Sequence, residues 1–561
     1  MKTSSEEKIN KYRQKGWWGD ITLGSLFDDA VKNSGEREAI VDAPDRASHS
    51  FGEPKRLTYN ELDAAVWSLA SELYDAGIRR GDIVVMQLPN IVEIAVAYLA
   101  VERLGAIISP VPTQYGSFEL AHIAKTLSPK AYLTTTNFKG QSFASSHQAA
   151  FSEGTLILAF GDKEPESAQL VGSVLADIEA LTACQAYAAN HGGDADDIYT
   201  ICWTSGTTGT PKGVPRSHNH WINTMATCEA SVSLEPGETL LNPFPLVNMA
   251  AIGGFLYFWL GKHARLVLHS PFDAKVFLGQ LAEETVVYTL APPAILMQLL
   301  QMRDFLAAYD LSKLRYIVSG SAPLSPAMMK GFQDELGIGI INAFGSNEGP
   351  MLLSSPHEMP DPEKRAMFFP RYGVEGFNWP NTSSLRMQTR LCDPETGAEI
   401  TQSGMPGELH FTGPSVFDGY YGVDADNALV FDDKGFFRSG DLFEIVGEHQ
   451  EFYRFVGRCK DLIIRGGMNI SPEELDNLLS GHPDIIEAAV VGYPDEILSE
   501  RIAVVAVPRA GIDLELEHIN NYLRAQGLAV FKLPEKLAIA EALPRSPLNK
   551  VLRTSLPEYL L

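Results

Sequence analysis

The chain has 561 residues, with 45 Lys plus Arg against 70 Asp plus Glu, a formal net charge of −25 with His neutral. That length exceeds one compact core and calls for a large body with a smaller satellite domain; 45% hydrophobic and 20% charged residues exclude a disordered or fibrous chain and fit a globular enzyme. The negative balance excludes nucleic acid as an expected partner and makes any polyanionic ligand dependent on locally focused positive charge.

The first twenty residues, MKTSSEEKINKYRQKGWWGD, are polar and lack the apolar run of a secretory signal. The most apolar stretch, Met249 to Leu260, contains two glycines and stops at Lys262 and Arg265, too short to span a bilayer. Five scattered cysteines (Cys184, Cys202, Cys228, Cys392, Cys459) show neither a CxxC nor paired-His spacing, so neither a disulfide framework nor a zinc site is expected. A cytoplasmic protein without a transmembrane segment is the expectation.

Thr58 and Glu61 have capping-box spacing ahead of an apolar-periodic stretch, Leu62 to Tyr74, closed by Gly77, which predicts a helix. IVVMQLPN (83 to 90) predicts a buried strand, Ile91 to Leu104 a second helix and GAIISPVP (105 to 112) another strand, together a β-α-β unit. The alternation recurs in LEPGETLLNPFPL, HARLVLHS, ETVVYTLAPP and LRYIVSGSAPLSPAMMKGFQDEL. The fold class expected is α/β, with parallel-rich sheets covered by helices in a large N-terminal domain, residues 1 to 459. Within it, about 385 to 455 turns to short strands and Gly-rich turns and predicts a small β-rich subdomain. Residues 460 to 561 predict a small mobile α+β C-terminal domain, entered through the charged, Gly-rich segment GRCKDLIIRGGMNI, with the hinge at Lys460 and Asp461.

The most informative window is TSGTTGTPKGV, residues 204 to 214, after the apolar strand IYTICW. Its glycines bare backbone N–H groups, and its hydroxyls (Thr204, Ser205, Thr207, Thr208) and one cation, Lys212, complete what a polyphosphate needs. A Walker A loop is excluded, since Pro211 precedes Lys212 and Gly213 follows it. The pair His218 and His220 in SHNH lacks further ligands and reads as surface or capping residues rather than a metal site.

The window resembles the phosphate-binding signature of the adenylate-forming superfamily, which holds acyl-CoA synthetases, carrier-loading adenylation domains and luciferases. FGSNEG (344 to 349), GELHFTGPSVFDGYY (407 to 421), RSGDL (438 to 442), GRCKDLIIRGGMNISPEELD (457 to 476) and LPRSPLNKVLR (543 to 553) resemble its further motifs, in the family's order, from about residue 20 onward. The N-terminal KYRQKGWWGDITLGSLF is similar to the medium-chain and cyclohexanecarboxylate-type CoA ligases and to stand-alone aryl-acid activating enzymes.

The resemblance implies ATP as substrate, Mg²⁺ as cofactor and coenzyme A as co-substrate. Lys550, Glu348 and Lys212 are the implied catalytic residues. Thr204, Ser205, Gly206, Thr207, Thr208, Gly209 and Lys212 would cradle the phosphates. Gly320, Ser321 and Ala322 would lie against one face of adenine and Phe344 against the other, with Asn342, Ala343 and Gly345 around the base. Asn347, standing where family members usually carry Thr, would reach the α-phosphate. Asp441 would take the ribose hydroxyls, backed by Arg458, and Glu348 with Thr208 would hold Mg²⁺ through hard oxygens. Arg465, Gly466 and Gly467 would line a pantetheine tunnel. Asn248 stands where the family commonly places a His gating the acyl channel.

The function implied is ATP-dependent activation of a medium-chain, alicyclic or aromatic carboxylic acid to acyl-AMP with release of pyrophosphate, then transfer to coenzyme A. A stand-alone enzyme loading a carrier protein is the alternative; a nucleotide-binding homologue without chemistry is a third reading, motivated by Asn248, Asn347 and Asn549 and opposed by the retained Lys212, Glu348, Asp441 and Lys550. A monomer or homodimer fits either enzyme. The stretch 369 to 391 departs from the family's usual Gly-Pro-rich connector and has no sequence-level explanation.

Overall fold

The computed structural model describes residues 1–162, 168–172, 178–204, 211–423, 427, 429–465, 468–495, 497–526, 528, 530–546 and 550–560. The chain divides into two compact units, one of residues 1–388 and 412–437 and the other of 389–411 and 438–561. The β-rich stretch expected near 385–455 is therefore shared between them.

In the first unit the predicted β-α-β pattern is present. Thr58 caps the helix Tyr59–Asp75 reciprocally with Glu61: the Glu61 N–H donates to Thr58 Oγ1 at 3.2 Å and the Thr58 N–H to Glu61 Oε2 at 2.8 Å. Strands Ile83–Met86 and Ile107–Pro110 pair in parallel around the helix Val92–Arg103, which is buried on every face. They belong to a sheet ordered 169–170, 156–160, 131–135, 83–86, 107–110, 198–204, 212–217, parallel throughout except for its last pair. A second sheet runs 351–354, 339–345, 316–320, 286–290, 239–242, 265–268, 38–41, 56–58, antiparallel only at its two ends. The apolar stretch from Met249 is a run of helical turns whose Ile252 to Leu260 are all buried. Among the described residues no helix is long and apolar enough to cross a membrane.

In the second unit the strands Phe437–Val446 and Phe452–Arg458 form an antiparallel pair, flanked in order by Gly407–Thr412 and Gln388–Cys392. A further sheet, built on the long antiparallel pair Ile485–Asp495 and Ser499–Pro508, buries the apolar faces of helices Pro472–Leu479 and Leu516–Ala525. All five cysteines are free thiols, as their spacing predicts.

The connector 369–391 is fastened by polar contacts that its sequence does not advertise. Fully buried Tyr372 donates its hydroxyl to Leu353 O (3.1 Å) and Glu358 Oε1 (2.8 Å), and Asn381 donates to Thr227 O (3.1 Å) and Ser231 Oγ (2.9 Å) on the helix His218–Ala230. Burial raises the Glu358 carboxyl to about 7 from 4.5, against the Tyr372 hydroxyl and the backbone of Ser355, which lower it. The folded chain therefore binds this proton more tightly than the unfolded one. Its contribution to stability is complete below about pH 4.5 and is lost as pH rises towards 7. Urea midpoints taken across that interval are expected to fall less steeply with pH for Glu358→Gln than for the parent; superimposable slopes would remove Glu358 as their source.

Candidate active site

The glycine-rich window is the turn of an antiparallel hairpin. Strand Ile198–Thr204 pairs with Lys212–Ser217 so that Thr204 and Lys212 are direct cross-strand partners at the two ends of the loop. Ser205, Gly206, Thr207, Thr208 and Gly209 lie outside the described residues. The exit of the loop is held by two contacts: His122 Nε2 lies 3.0 Å from Pro211 O, and the Tyr421 N–H donates to Gly213 O at 2.9 Å.

Behind the hairpin lies Arg216, fully buried, with its guanidinium 3.9 Å from the centre of the Trp221 ring. Its Nη2 donates to His220 O (3.1 Å), Thr224 Oγ1 (2.7 Å) and Ser415 O (3.0 Å), while Nε and Nη1 find no acceptor among the described residues. Burial pulls its pKa down to about 10, partly countered by Cys202, Tyr257 and Glu348. It remains a cation at neutral pH, a fixed positive charge in an acidic protein.

Glu348 is 7% exposed. Its Oε1 accepts from the Tyr420 hydroxyl at 2.9 Å and its carbonyl from the Phe417 N–H at 2.8 Å; Oε2 makes no hydrogen bond among the described residues. A carboxylate oriented by a neutral donor, with its second oxygen left over, suits a hard divalent cation such as Mg²⁺. Lys212 Nζ stands 5.1 Å from the centre of the same Tyr420 ring.

Asn347 is a clamp. Its Oδ1 accepts from the Met249 N–H at 2.8 Å and its Nδ2 donates to Trp203 O at 3.1 Å, tying the strand before the loop to the helix after Asn248. Asn248 is the N-cap of that helix, its Oδ1 accepting from the Ala251 N–H at 3.1 Å. Gly320 and Ala343 are neighbours across parallel strands, so close that a Cβ at Gly320 would stand 2.1 Å from Ala343 O. Ser321 follows in the left-handed region (φ 70°), and Ala322 is exposed beside it. Asn342 turns its side chain to Arg365 O (3.1 Å) and Ala366 O (3.0 Å); Phe344 is half-buried, edge-on to Phe369 at 6.2 Å, and leads into the exposed Gly345.

In the second unit Asp441 and Arg458 are cross-strand partners, with Arg458 Nε 3.3 Å from Asp441 Oδ1. The Asp441 N–H donates to Ser439 Oγ, and the Gly440 N–H to Glu408 Oε1 at 2.9 Å. Lys460 and Asp461 form a single 3₁₀ turn, and Asp461 Oδ2 lies 3.9 Å from Arg553 Nε. Arg465 is paired with Glu535 at 2.8 Å; Gly466 and Gly467 lie outside the described residues. Lys550 is exposed, its backbone exchanging hydrogen bonds with Ser546 (N–H to Oγ 3.2 Å, O from Ser546 N–H 2.7 Å), while Asn549 lies outside the described residues.

His218 and His220 are not surface residues. Both are fully enclosed, at 2% and 0% exposure. His220 does cap its helix, Nδ1 accepting from the Ser217 N–H at 3.1 Å, whereas His218 Nδ1 lies 3.2 Å from the Leu23 N and 2.7 Å from the Tyr257 hydroxyl. Burial lowers them to about 4 and about 3, so both rings are neutral. Three residues that sequence reasoning did not single out adjoin the site: His122, Arg216 and Tyr420. Only Tyr420 lay within a motif.

Residues 27–421 match the model of the AMP-binding enzyme family and residues 474–550 that of the AMP-binding enzyme C-terminal domain. The chain is 29% identical to the medium-chain fatty-acid–CoA ligase of Escherichia coli over 98% of this chain and 92% of that one. It is 31% identical to triostin synthetase I of Streptomyces triostinicus over 97% and 95%. The crystal structure of ATP-bound MatB from Rhodopseudomonas palustris superposes with a TM-score of 0.76 at 26% identity, covering 96% of this chain and 99% of that one. The geometry at the hairpin and these matches along nearly the whole length lead to one conclusion: the chain belongs to the AMP-binding enzyme family.

Proposed function

We propose that the protein is an AMP-forming acid–thiol ligase that activates a medium-sized monocarboxylic acid, ring-containing or branched, and transfers it to coenzyme A. The observation that carries this reading is the hairpin that sets Lys212 directly across from Thr204, with the half-held carboxylate of Glu348 in the same unit. Similarity to a CoA ligase over 98% of the chain favours coenzyme A as acceptor.

A free carboxylate is a poor acyl donor because its leaving group would be oxide or hydroxide. One carboxylate oxygen attacks the α-phosphorus of ATP, the bond to the bridging oxygen breaks and pyrophosphate leaves, giving a mixed anhydride whose leaving group is AMP. Negative charge grows on the nonbridging oxygens during this displacement, and fixed cations and N–H donors lower its energy. Lys212 at the loop exit and Lys550 of the second unit are the cations assigned to this role. Glu348, with Thr208, would hold Mg²⁺, which supplies neutralisation of the phosphate charge. Phe344 and the Gly320–Ala322 turn would enclose adenine, and Asp441, oriented by Arg458, would accept from the ribose hydroxyls. In the second half-reaction the thiol attacks the acyl carbonyl and AMP departs. A hinge at Lys460 and Asp461 would exchange Lys550 for the Arg465–Gly467 segment between the two steps.

The test is mass spectrometry of a reaction containing Mg-ATP and a mixed panel of aliphatic, alicyclic, aromatic and steroid-like carboxylates, with and without coenzyme A. AMP together with one acyl-CoA is the expected result and names the acid class. Acyl-AMP that persists unchanged when coenzyme A is added would transfer the acceptor role to a carrier protein; ATP binding without pyrophosphate release would overturn the enzyme reading.

Asn248→His probes the acyl side. Loss of the cap is expected to cost about 1 kcal/mol of stability, and the ranking of carboxylates is expected to change more than the KM for ATP. A change confined to the ATP KM would place Asn248 away from the acyl channel.

A further inference from the structure

Glu348 is held by one short segment, and that segment is held by the N-terminal helix. From 414 to 421 every anchor is polar. Pro414 O accepts from Trp18 Nε1 at 3.0 Å, Ser415 O from Arg216 Nη2 at 3.0 Å, and the Ser415 hydroxyl donates to Gly349 O at 2.9 Å. Val416 O accepts from Lys8 Nζ at 3.2 Å. Asp418 takes the same ammonium on Oδ1 at 2.6 Å and the Ser4 hydroxyl on Oδ2, with His220 Nε2 3.6 Å away. The ion pair is well enclosed, Lys8 at 22% and Asp418 at 19% side-chain exposure. Only after these anchors come the two groups that reach Glu348, the Phe417 N–H on its carbonyl and the Tyr420 hydroxyl on Oε1.

This is more than fold maintenance requires. The helix Glu6–Gln14 already packs through Ile9 and Tyr12 against Trp18, and an apolar side chain in place of Lys8 would serve that packing as well. A single lysine that reaches both the carbonyl of Val416 and the carboxylate of Asp418 fixes instead the path of the backbone leading to Tyr420. Tyr420 then removes one of the two carboxylate oxygens of Glu348 from competition and sets the direction of the other.

We propose that Tyr420 is a positioning residue for the cation site at Glu348, and that the Lys8–Asp418 pair of the N-terminal helix is the anchor that sets it. The proposal rests on the reading of Glu348 as a Mg²⁺ ligand. Partners of a metal ligand fix its orientation and basicity, and their removal commonly weakens metal binding about tenfold or more.

The experiment is calorimetric titration of ATP into the intact protein, with Mg²⁺ and with excess EDTA, for the parent, Tyr420→Phe and Lys8→Met. The parent comes first: ATP binding that Mg²⁺ does not strengthen would overturn the assignment of Glu348 itself, whatever Tyr420 does. Given a Mg²⁺ effect in the parent, Tyr420→Phe is expected to reduce it roughly tenfold while leaving affinity in EDTA unchanged. Lys8→Met, remote from the nucleotide, is expected to act in the same direction by a smaller factor. Unfolding temperatures are expected to fall by no more than about 3 °C for the loss of one hydrogen bond in a chain of this size. In turnover, the Mg²⁺ concentration for half-maximal rate should rise in Tyr420→Phe with the rate at saturating Mg²⁺ preserved. Equal loss of affinity with and without Mg²⁺, or a Mg²⁺ effect as large as the parent's in both variants, would overturn the proposal and leave the segment a purely structural clasp.

Discussion

Lys550→Ala is expected to slow formation of acyl-AMP by roughly a hundredfold or more, the scale of removing one preorganised electrostatic stabiliser from a transition state that develops charge. The same variant is expected to convert supplied acyl-AMP to thioester at close to the parent rate. Lys550 is an exposed side chain on a short turn closed by the Arg545–Val551 bridge, so its removal disturbs no packing. Acid-dependent exchange of labelled pyrophosphate into ATP measures the first step; release of AMP from synthetic acyl-AMP and coenzyme A measures the second. Equal losses in the two would mean that one arrangement of the second unit serves both steps, and the hinge reading would fall.

Gly349→Ala is expected to be the most damaging single methyl in the first unit. Gly349 follows Glu348 directly, has φ 106°, and a Cβ there would stand 1.9 Å from Ser415 O and 2.9 Å from Val416 Cα. Two costs add: a backbone region that L-residues rarely enter and a collision with main chain that no rotamer change relieves. A destabilisation above about 3 kcal/mol is expected by urea titration. Gly376→Ala separates the two costs, since Gly376 has φ 93° with nothing within 4 Å of the added methyl; about 1 kcal/mol is expected there. Similar losses at both sites would mean that conformation alone dominates and that the segment 414–418 can yield.

The contrast between these glycines shows where the sequence is legible. The core of the fold was, because its signals are local: reciprocal capping by Thr58 and Glu61, a wholly apolar helix after Ile91, and buried strands of four or five residues. The loop 204–214 was legible as chemistry, since glycines, hydroxyls and one lysine at a strand exit point to phosphate whatever the fold. What stayed hidden depends on partners distant in sequence. Tyr420 meets Glu348 across 72 residues and Lys8 meets Asp418 across 410, and no periodicity encodes either. The burial of His218 and His220 follows from the layer that covers their helix, including Tyr257 and Trp18, so their polarity alone misplaced them at the surface. Asn248 and Asn347, which stand out as departures from a motif, prove to have structural work as a helix cap and a strand-to-helix clamp.

The second unit is interrupted: residues 412–437, Tyr420 among them, return to the first unit before the chain continues. A ribosome adding 5 to 20 residues per second therefore finishes Glu348 roughly 4 to 14 seconds before Tyr420 has been made. During that interval the nascent first unit carries its metal-binding carboxylate without either the hydroxyl or the N–H that will orient it. A fragment released at residue 411 would hold the whole phosphate loop and both large sheets, yet could not assemble the Glu348 site; competence for chemistry arrives late in translation, with the strand of chain that closes behind it.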